Sequence, residues 1–235
     1  MIKIEALTVQ FGGIKALDAL DAEFAAPICG LIGPNGAGKT TLLNVLSGFL
    51  TPIKGTILLD DIALLGLSAR RRVGIGLRRT FQQELVVEEL TAQENIQAIA
   101  DHVSPDRASA RREVEAALDF VGLNERRNAL GRELNLFERR MVEIAKTLIG
   151  RPRVILMDEP GAGLNEAETE RLRRLLANIP SAFDTQLVLI DHDADLIAAV
   201  CVETVVLDFG KRLAIGPTRA VLDNPIVRDA YLGRE

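Results

Sequence analysis

The chain has 235 residues, 48% hydrophobic and 26% charged, with 19 glycines, 9 prolines and no tryptophan. This fits a globular chain of roughly one to two domain lengths and excludes collagen-like, disordered and coiled-coil architectures. Its 28 basic residues are outnumbered by 33 acidic ones, and aromatics are only 4%; a net charge of −5 argues against a nucleic-acid partner, a polybasic membrane anchor or a stacking platform for single strands.

The opening residues MIKIEALTVQ alternate apolar and polar side chains from Ile2 to Val9, which predicts an edge strand, and they lack the apolar stretch of a signal peptide. Phe11-Gly12-Gly13 ends that strand as a turn. Ile28-Cys29-Gly30-Leu31-Ile32 is a continuous apolar run, as in a parallel strand covered on both faces. A glycine-rich loop over 34–38 follows, then a helix predicted over 40–47 and stopped by Gly48. Ser104 as N-cap, with Pro105 at the first helical position, predicts a helix carrying Ala110, Val114, Ala117, Leu118 and Val121 on one face as far as Gly122. A second helix begins near Asn135, its apolar face made by Phe137, Met141, Ile144, Ala145 and Leu148.

Val154-Ile155-Leu156-Met157 and Leu187-Val188-Leu189-Ile190 read as two more buried strands. Between them Asn165 and Glu168 form an N-x-x-E cap that opens a helix to about residue 179. Acids fill its first turn and Arg171, Arg173 and Arg174 follow, the order the helix dipole favours. Val205-Val206-Leu207 enters a hairpin at Asp208-Phe209-Gly210-Lys211. The only cysteines, Cys29 and Cys201, lie far apart in apolar runs, and only two histidines exist. That argues against a disulfide framework or a zinc site and for a reducing compartment. No apolar stretch reaches the roughly 18 residues of a membrane-spanning helix.

Two motifs carry chemistry. Gly33-Pro34-Asn35-Gly36-Ala37-Gly38-Lys39-Thr40, followed by Thr41, fits G-x-x-x-x-G-K-[ST] between a strand and a helix. Its glycines let successive backbone N–H groups turn inward toward phosphate oxygens, and the helix N-terminus favours anions. Lys39 brings a positive charge to the β- and γ-phosphates, and Thr40 offers a hydroxyl to Mg²⁺. Asp158-Glu159 closes the run Val154-Ile155-Leu156-Met157, where a carboxylate at the end of a parallel strand projects into the ligand crevice. Asp158 is expected to hold Mg²⁺, directly or through water, and Glu159 to act as base on the attacking water. Taken alone, two acids at a strand end are commonly just solvated; beside the phosphate loop they read as functional.

Over nearly its whole length the sequence resembles the ATP-binding subunits of ABC transporters. The phosphate loop, Arg79-Thr80-Phe81-Gln82, Val154 to Pro160, the D-loop Gly163-Leu164-Asn165 and Asp191-His192-Asp193 carry the resemblance. The resemblance implies an α/β fold: a P-loop, RecA-like core over 1–83 and 149–216, a helical subdomain inserted at 84–148, an N-terminal antiparallel β part and a tail over 217–235. It implies ATP and Mg²⁺ as cofactors, adenine stacked on Phe11, Gln82 on the metal or the water, and His192 on the γ-phosphate. On spacing alone Gln82 reads as a surface glutamine, His192 as a structural histidine and Phe11 as core. Phe11-Gly12-Gly13-Ile14-Lys15-Ala16-Leu17, the RTFQ segment and the ending Ala230-Tyr231-Leu232-Gly233 look most like importers of branched-chain amino acids; urea or amide importers share much of the pattern.

One segment departs from the family. Where LSGGQ opens the helix that binds a partner's ATP, this chain has Leu134-Asn135-Leu136-Phe137-Glu138. Asn135 replaces the serine and is expected to cap the helix with Glu138, Phe137 puts a benzyl group where a backbone should approach phosphate, and Glu138 brings negative charge. The implied assembly is a heterodimer rather than a homodimer of ATPase subunits, carrying one weakened site. It sits on two membrane permease subunits at the cytoplasmic face, served indirectly by an extracytoplasmic solute-binding protein. Two other readings are an ATP-gated module with little turnover and a soluble ABC protein acting on nucleic acid or the ribosome. The single phosphate loop and the acidic balance disfavour the last.

Overall fold

The computed structural model describes residues 1–82 and 85–232. In chain order the elements are β1 (Ile2–Phe11), β2 (Ile14–Phe24), β3 (Ile28–Ile32), α1 (Lys39–Ser47), β4 (Lys54–Leu59), β5 (Ile62–Ala63), α2 (Ala69–Gly74) and β6 (Leu77–Arg79). There follow α3 (Ala92–Val103), α4 (Arg107–Phe120), α5 (Leu136–Thr147), β7 (Val154–Asp158), α6 (Glu166–Phe183), β8 (Gln186–Ile190), α7 (Ala194–Val200), β9 (Glu203–Asp208) and β10 (Lys211–Pro217), then short helical turns. They gather into two compact units, residues 1–72 with the chain from 186 onward, and residues 73–185. The expected boundary between residues 83 and 84, and Gly233 of the family-like ending, lie outside the described residues. No described helix is long and apolar enough to cross a membrane.

In the first unit β1 runs between β2 and β4, antiparallel to both, in a sheet ordered β2-β1-β4-β5. The predicted edge strand is therefore an inner one. Alternation could not tell the two apart, because any strand with one packed and one open face alternates. The pattern also slips once: Ile2 and Ile4 are buried, the register shifts beside Ala6 at φ 48°, and Leu7 and Val9 resume the buried face. Gly55 of β4 lies against this bulge, where a Cβ would stand 2.6 Å from Leu7 Cα.

The same unit contains β3, buried along its whole length and parallel to β8 on one side and β9 on the other. That double coverage explains why its sequence is a continuous apolar run. β9 turns through Phe209 and Gly210 into antiparallel β10. α1 leaves the loop after β3 and stops at Gly48, whose φ of 82° lets its N–H reach back to the Asn44 and Val45 carbonyls. The Arg72 guanidinium, buried, also donates to the carbonyls of Val45 and Leu46.

The second unit holds the parallel pair β6 and β7 together with α3, α4, α5 and α6. Phe120 at the end of α4 and Phe183 at the end of α6 meet edge to face, centroids 4.9 Å apart. The N-cap of α4 is not the expected one. Ser104 does not open α4; its N–H is consumed by the Ala100 carbonyl as the C-cap of α3. Asp106 is the N-cap instead, its carboxylate accepting from the Ser109 N–H at 2.8 Å. The sequence patterns above do not include α3, although Thr91 and Glu94 form a reciprocal capping box at its start. α6 runs to Phe183 rather than ending near residue 179, with Pro180 inside it.

Candidate functional site

The loop after β3 is shaped by its glycines. Gly33, Gly36 and Gly38 sit at φ 149°, 82° and 103°, values that L side chains rarely adopt. At Gly33 a Cβ would stand 2.1 Å from the Leu207 carbonyl oxygen, and at Gly38 2.6 Å from that of Ala16; at Gly36 there is open space. Gly38 is also the N-cap of α1 and supplies no side-chain acceptor, so the first-turn N–H groups of α1 have no side-chain cap. Lys39 is buried and folds back into the loop, its ammonium donating to the carbonyls of Gly33 at 2.5 Å and Pro34 at 3.0 Å. Asn35, Gly36 and Thr40 are exposed, and Thr41 is half-buried. The result is a curled backbone with one ammonium inside it at a helix N-terminus, an arrangement that can bind a polyphosphate.

Also in the first unit, Phe11 is 53% exposed at the open end of β1, paired with Ile14. The core reading for Phe11 therefore fails, and a face for a flat ligand is available. His192 follows β8 and is exposed. Its neighbours build the turn: Asp191 accepts from the Asp193 N–H at 3.0 Å, and Asp193 caps α7 by accepting from Asp195 and Leu196. The carboxylates on either side of His192 thus help to hold its loop.

In the second unit, Asp158 ends β7 and is 2% exposed. Its backbone N–H donates to the Thr80 hydroxyl at 3.2 Å, while Thr80 N–H donates to the Leu156 carbonyl. Its carboxylate lies 3.5 Å from the Arg79 guanidinium, itself buried and stacked 4.9 Å over the Phe81 ring. Burial holds the Arg79 pKa below its ordinary value, and the neighbouring Asp158 offsets only part of that fall. Glu159 is half-buried and held at φ 50° immediately before Pro160, a left-handed backbone uncommon for a non-glycine residue. Gln82 is exposed, three residues beyond β6. In the sequence Arg79 and Thr80 figure only in the glutamine-loop match; pairing of β6 with β7 is what makes them supports of Asp158.

The departing segment also lies in this unit. Asn135 caps α5 as expected: its side chain accepts from the Glu138 N–H at 2.8 Å, and its N–H donates to the Glu138 carboxylate at 3.0 Å. Glu138 is further paired with Arg126 at 3.0 Å, so its charge is balanced within the chain. Phe137 is half-buried with the Arg171 guanidinium 5.4 Å above its ring, and it lines a cavity of about 510 Å³ with Phe120, Met141, Arg171 and Leu175. The 42%-exposed side chain at the start of the helix is Leu136, which stood in the shadow of Phe137 in the sequence. Gly163 of the D-loop, at φ 78°, is close enough that a Cβ would meet the Leu136 methyl at 3.0 Å. Leu164 donates to the Gly161 carbonyl, and Asn165 caps α6 with Glu168.

The ABC transporter family model matches residues 24–162. The chain is 36% identical to the high-affinity branched-chain amino acid transport ATP-binding protein BraF of Pseudomonas aeruginosa, covering 99% of this chain and 98% of that one. The corresponding protein LivG of Escherichia coli is similar to the same degree, 36% with the same coverage. Among solved structures, the ADP conformation of an ATP-binding cassette of an ABC transporter superposes with a TM-score of 0.89 at 26% identity, covering 100% of this chain and 99% of the other.

Proposed function

Because this chain belongs to the ABC transporter family, we propose that it is the ATP-binding and ATP-hydrolysing subunit of an importer for branched-chain amino acids. The observation that carries this reading is the loop 33–38, with three left-handed glycines, a glycine N-cap and Lys39 turned inside. Full-length similarity to BraF and LivG supports the solute class. In this reading the triphosphate lies on the amides of residues 33–41 and on Lys39, and Phe11 stacks on adenine. Thr40, Gln82 and Asp158 are oxygen donors of the kind Mg²⁺ prefers, and when bound the ion screens the phosphate charge. Glu159 holds the attacking water and takes its proton; His192 contacts the γ-phosphate. Catalysis is by positioning and charge stabilisation, without a covalent intermediate.

The core 1–83 and 149–216, with the helical subdomain 84–148, is the division across which Gln82 links nucleotide state to helix position. Two permease subunits and a second ATPase subunit complete the assembly at the cytoplasmic face of the membrane, with a solute-binding protein acting on the far side. The self-capped start of α5 favours a heterodimer in which this chain's signature serves the weaker site. Mg-ATP binding and phosphate release by the complex test the central assignment. Lys39→Ala weakens nucleotide binding, whereas Glu159→Gln keeps it and slows release by about a hundredfold or more. Normal turnover by the glutamine variant removes Glu159 from the role of base. Uptake of labelled leucine against labelled urea by the reconstituted complex decides the solute.

A further inference from the structure

We propose that Phe209, at the tip of the β9–β10 hairpin, is a second aromatic contact for the base of the bound nucleotide; the inference rests on the phosphate-loop reading above. Asp208 pairs with Lys211, so Phe209 and Gly210 form a two-residue turn, with φ of 44° and 76°. Two positive φ values in succession are the type I′ pattern, which favours Asn-Gly or Asp-Gly. A phenylalanine at the first of these positions is strained by its backbone, and the residue is 73% exposed. Neither backbone preference nor burial accounts for an aromatic side chain there, which makes a ligand-facing role the better explanation.

The turn is tied to the phosphate loop. Gly210 N–H donates to the Ala37 carbonyl at 3.0 Å, and Asp18 N–H donates to the Gly210 carbonyl at 3.0 Å. A Cβ on Gly210 would stand 2.7 Å from the Ala16 carbonyl oxygen, the same oxygen that crowds Gly38. Loop, turn and the start of β2 therefore converge on Ala16. Two residues back along β2, about 7 Å of strand, is Ile14, the partner of Phe11. The ends of both hairpins that flank Ala16 thus carry an exposed aromatic ring. In the reading above the base stacks on Phe11, which puts it on this side, where one ring stacks on a face and the other meets an edge or the ribose.

The test uses the full chain and two probes, Mg-ADP and Mg-tripolyphosphate, titrated calorimetrically into wild type, Phe209→Asn and Phe209→Tyr, with a melting curve for each. Asparagine tolerates the turn conformation, so Phe209→Asn raises the melting temperature while weakening Mg-ADP about fivefold or more. It leaves tripolyphosphate binding unchanged, and Phe209→Tyr retains wild-type Mg-ADP affinity. Two results overturn the proposal: equal Mg-ADP affinity in Phe209→Asn, or parallel loss of both probes, which would mean the turn acts through the loop backbone. A wild type that binds neither probe overturns the phosphate-loop reading itself, and this inference with it.

Discussion

At Gly33 the Leu207 carbonyl lies where any β-carbon would go, and at Gly38 the Ala16 carbonyl does the same; these two residues are glycine for space as much as for dihedral angle. Gly36 meets nothing, so its glycine answers to its φ alone. The two cysteines belong to the same scale. Burial pushes the Cys29 thiol up from about 9 to about 12, with Glu203 adding to the rise, and burial raises Cys201 too, helped by the neighbouring Cys29 and Asp191. A thiol whose folded pKa is raised favours folding in full below the unfolded value, and the contribution drains away as pH climbs toward the folded one. Urea midpoints are accordingly expected to fall between about pH 9 and pH 12, and a Cys29→Ala, Cys201→Ala protein to fall less steeply over that window. Alkylation of the native protein at neutral pH is expected to be negligible, because the thiolate is the reactive form.

Among the elements, α5 concentrates the departures from the family. Asn135 and Glu138 satisfy each other's backbone N–H groups, Arg126 neutralises the acid, and Arg171 covers Phe137. Removing the cap with Asn135→Ala is expected to cost about 1 kcal/mol, whereas Asn135→Ser changes stability little, since both side chains cap well. Urea denaturation of the two variants measures the difference; equal stability would mean that packing, not the cap, sets the start of this helix. Helix ends elsewhere are finished by different means: α1 by Gly48 and the Arg72 guanidinium, α6 by Asn165 and Glu168 at its start and Asp184 at φ 48° at its end.

On the scale of the whole molecule, the proposed heterodimer has two unequal sites. Nucleotide trapping in the reconstituted pair is expected to find hydrolysis at the site built on this chain's phosphate loop and slow turnover at the site built on its α5. Asn135→Ser combined with Phe137→Gly should raise the slow site, and equal trapping at both sites in the unaltered pair removes the asymmetry. Much of this was legible beforehand because it is local. The glycine spacing of 33–38, the apolar runs of β3, β7 and β8, and the N-x-x-E cap at Asn165 each declare themselves within a few residues, through dihedral preference, burial on both faces and reciprocal hydrogen bonding. What needed the tertiary structure is what depends on distant partners. Pairing with β4 as well as β2 turned β1 from edge to interior, and packing of β6 on β7 put Arg79 and Thr80 beside Asp158. Arg171 lies over Phe137 in a cavity wall, and a hairpin far along the chain brought Phe209 to the phosphate loop. A linear pattern records which way a side chain tends to face; only the folded chain determines what it meets there.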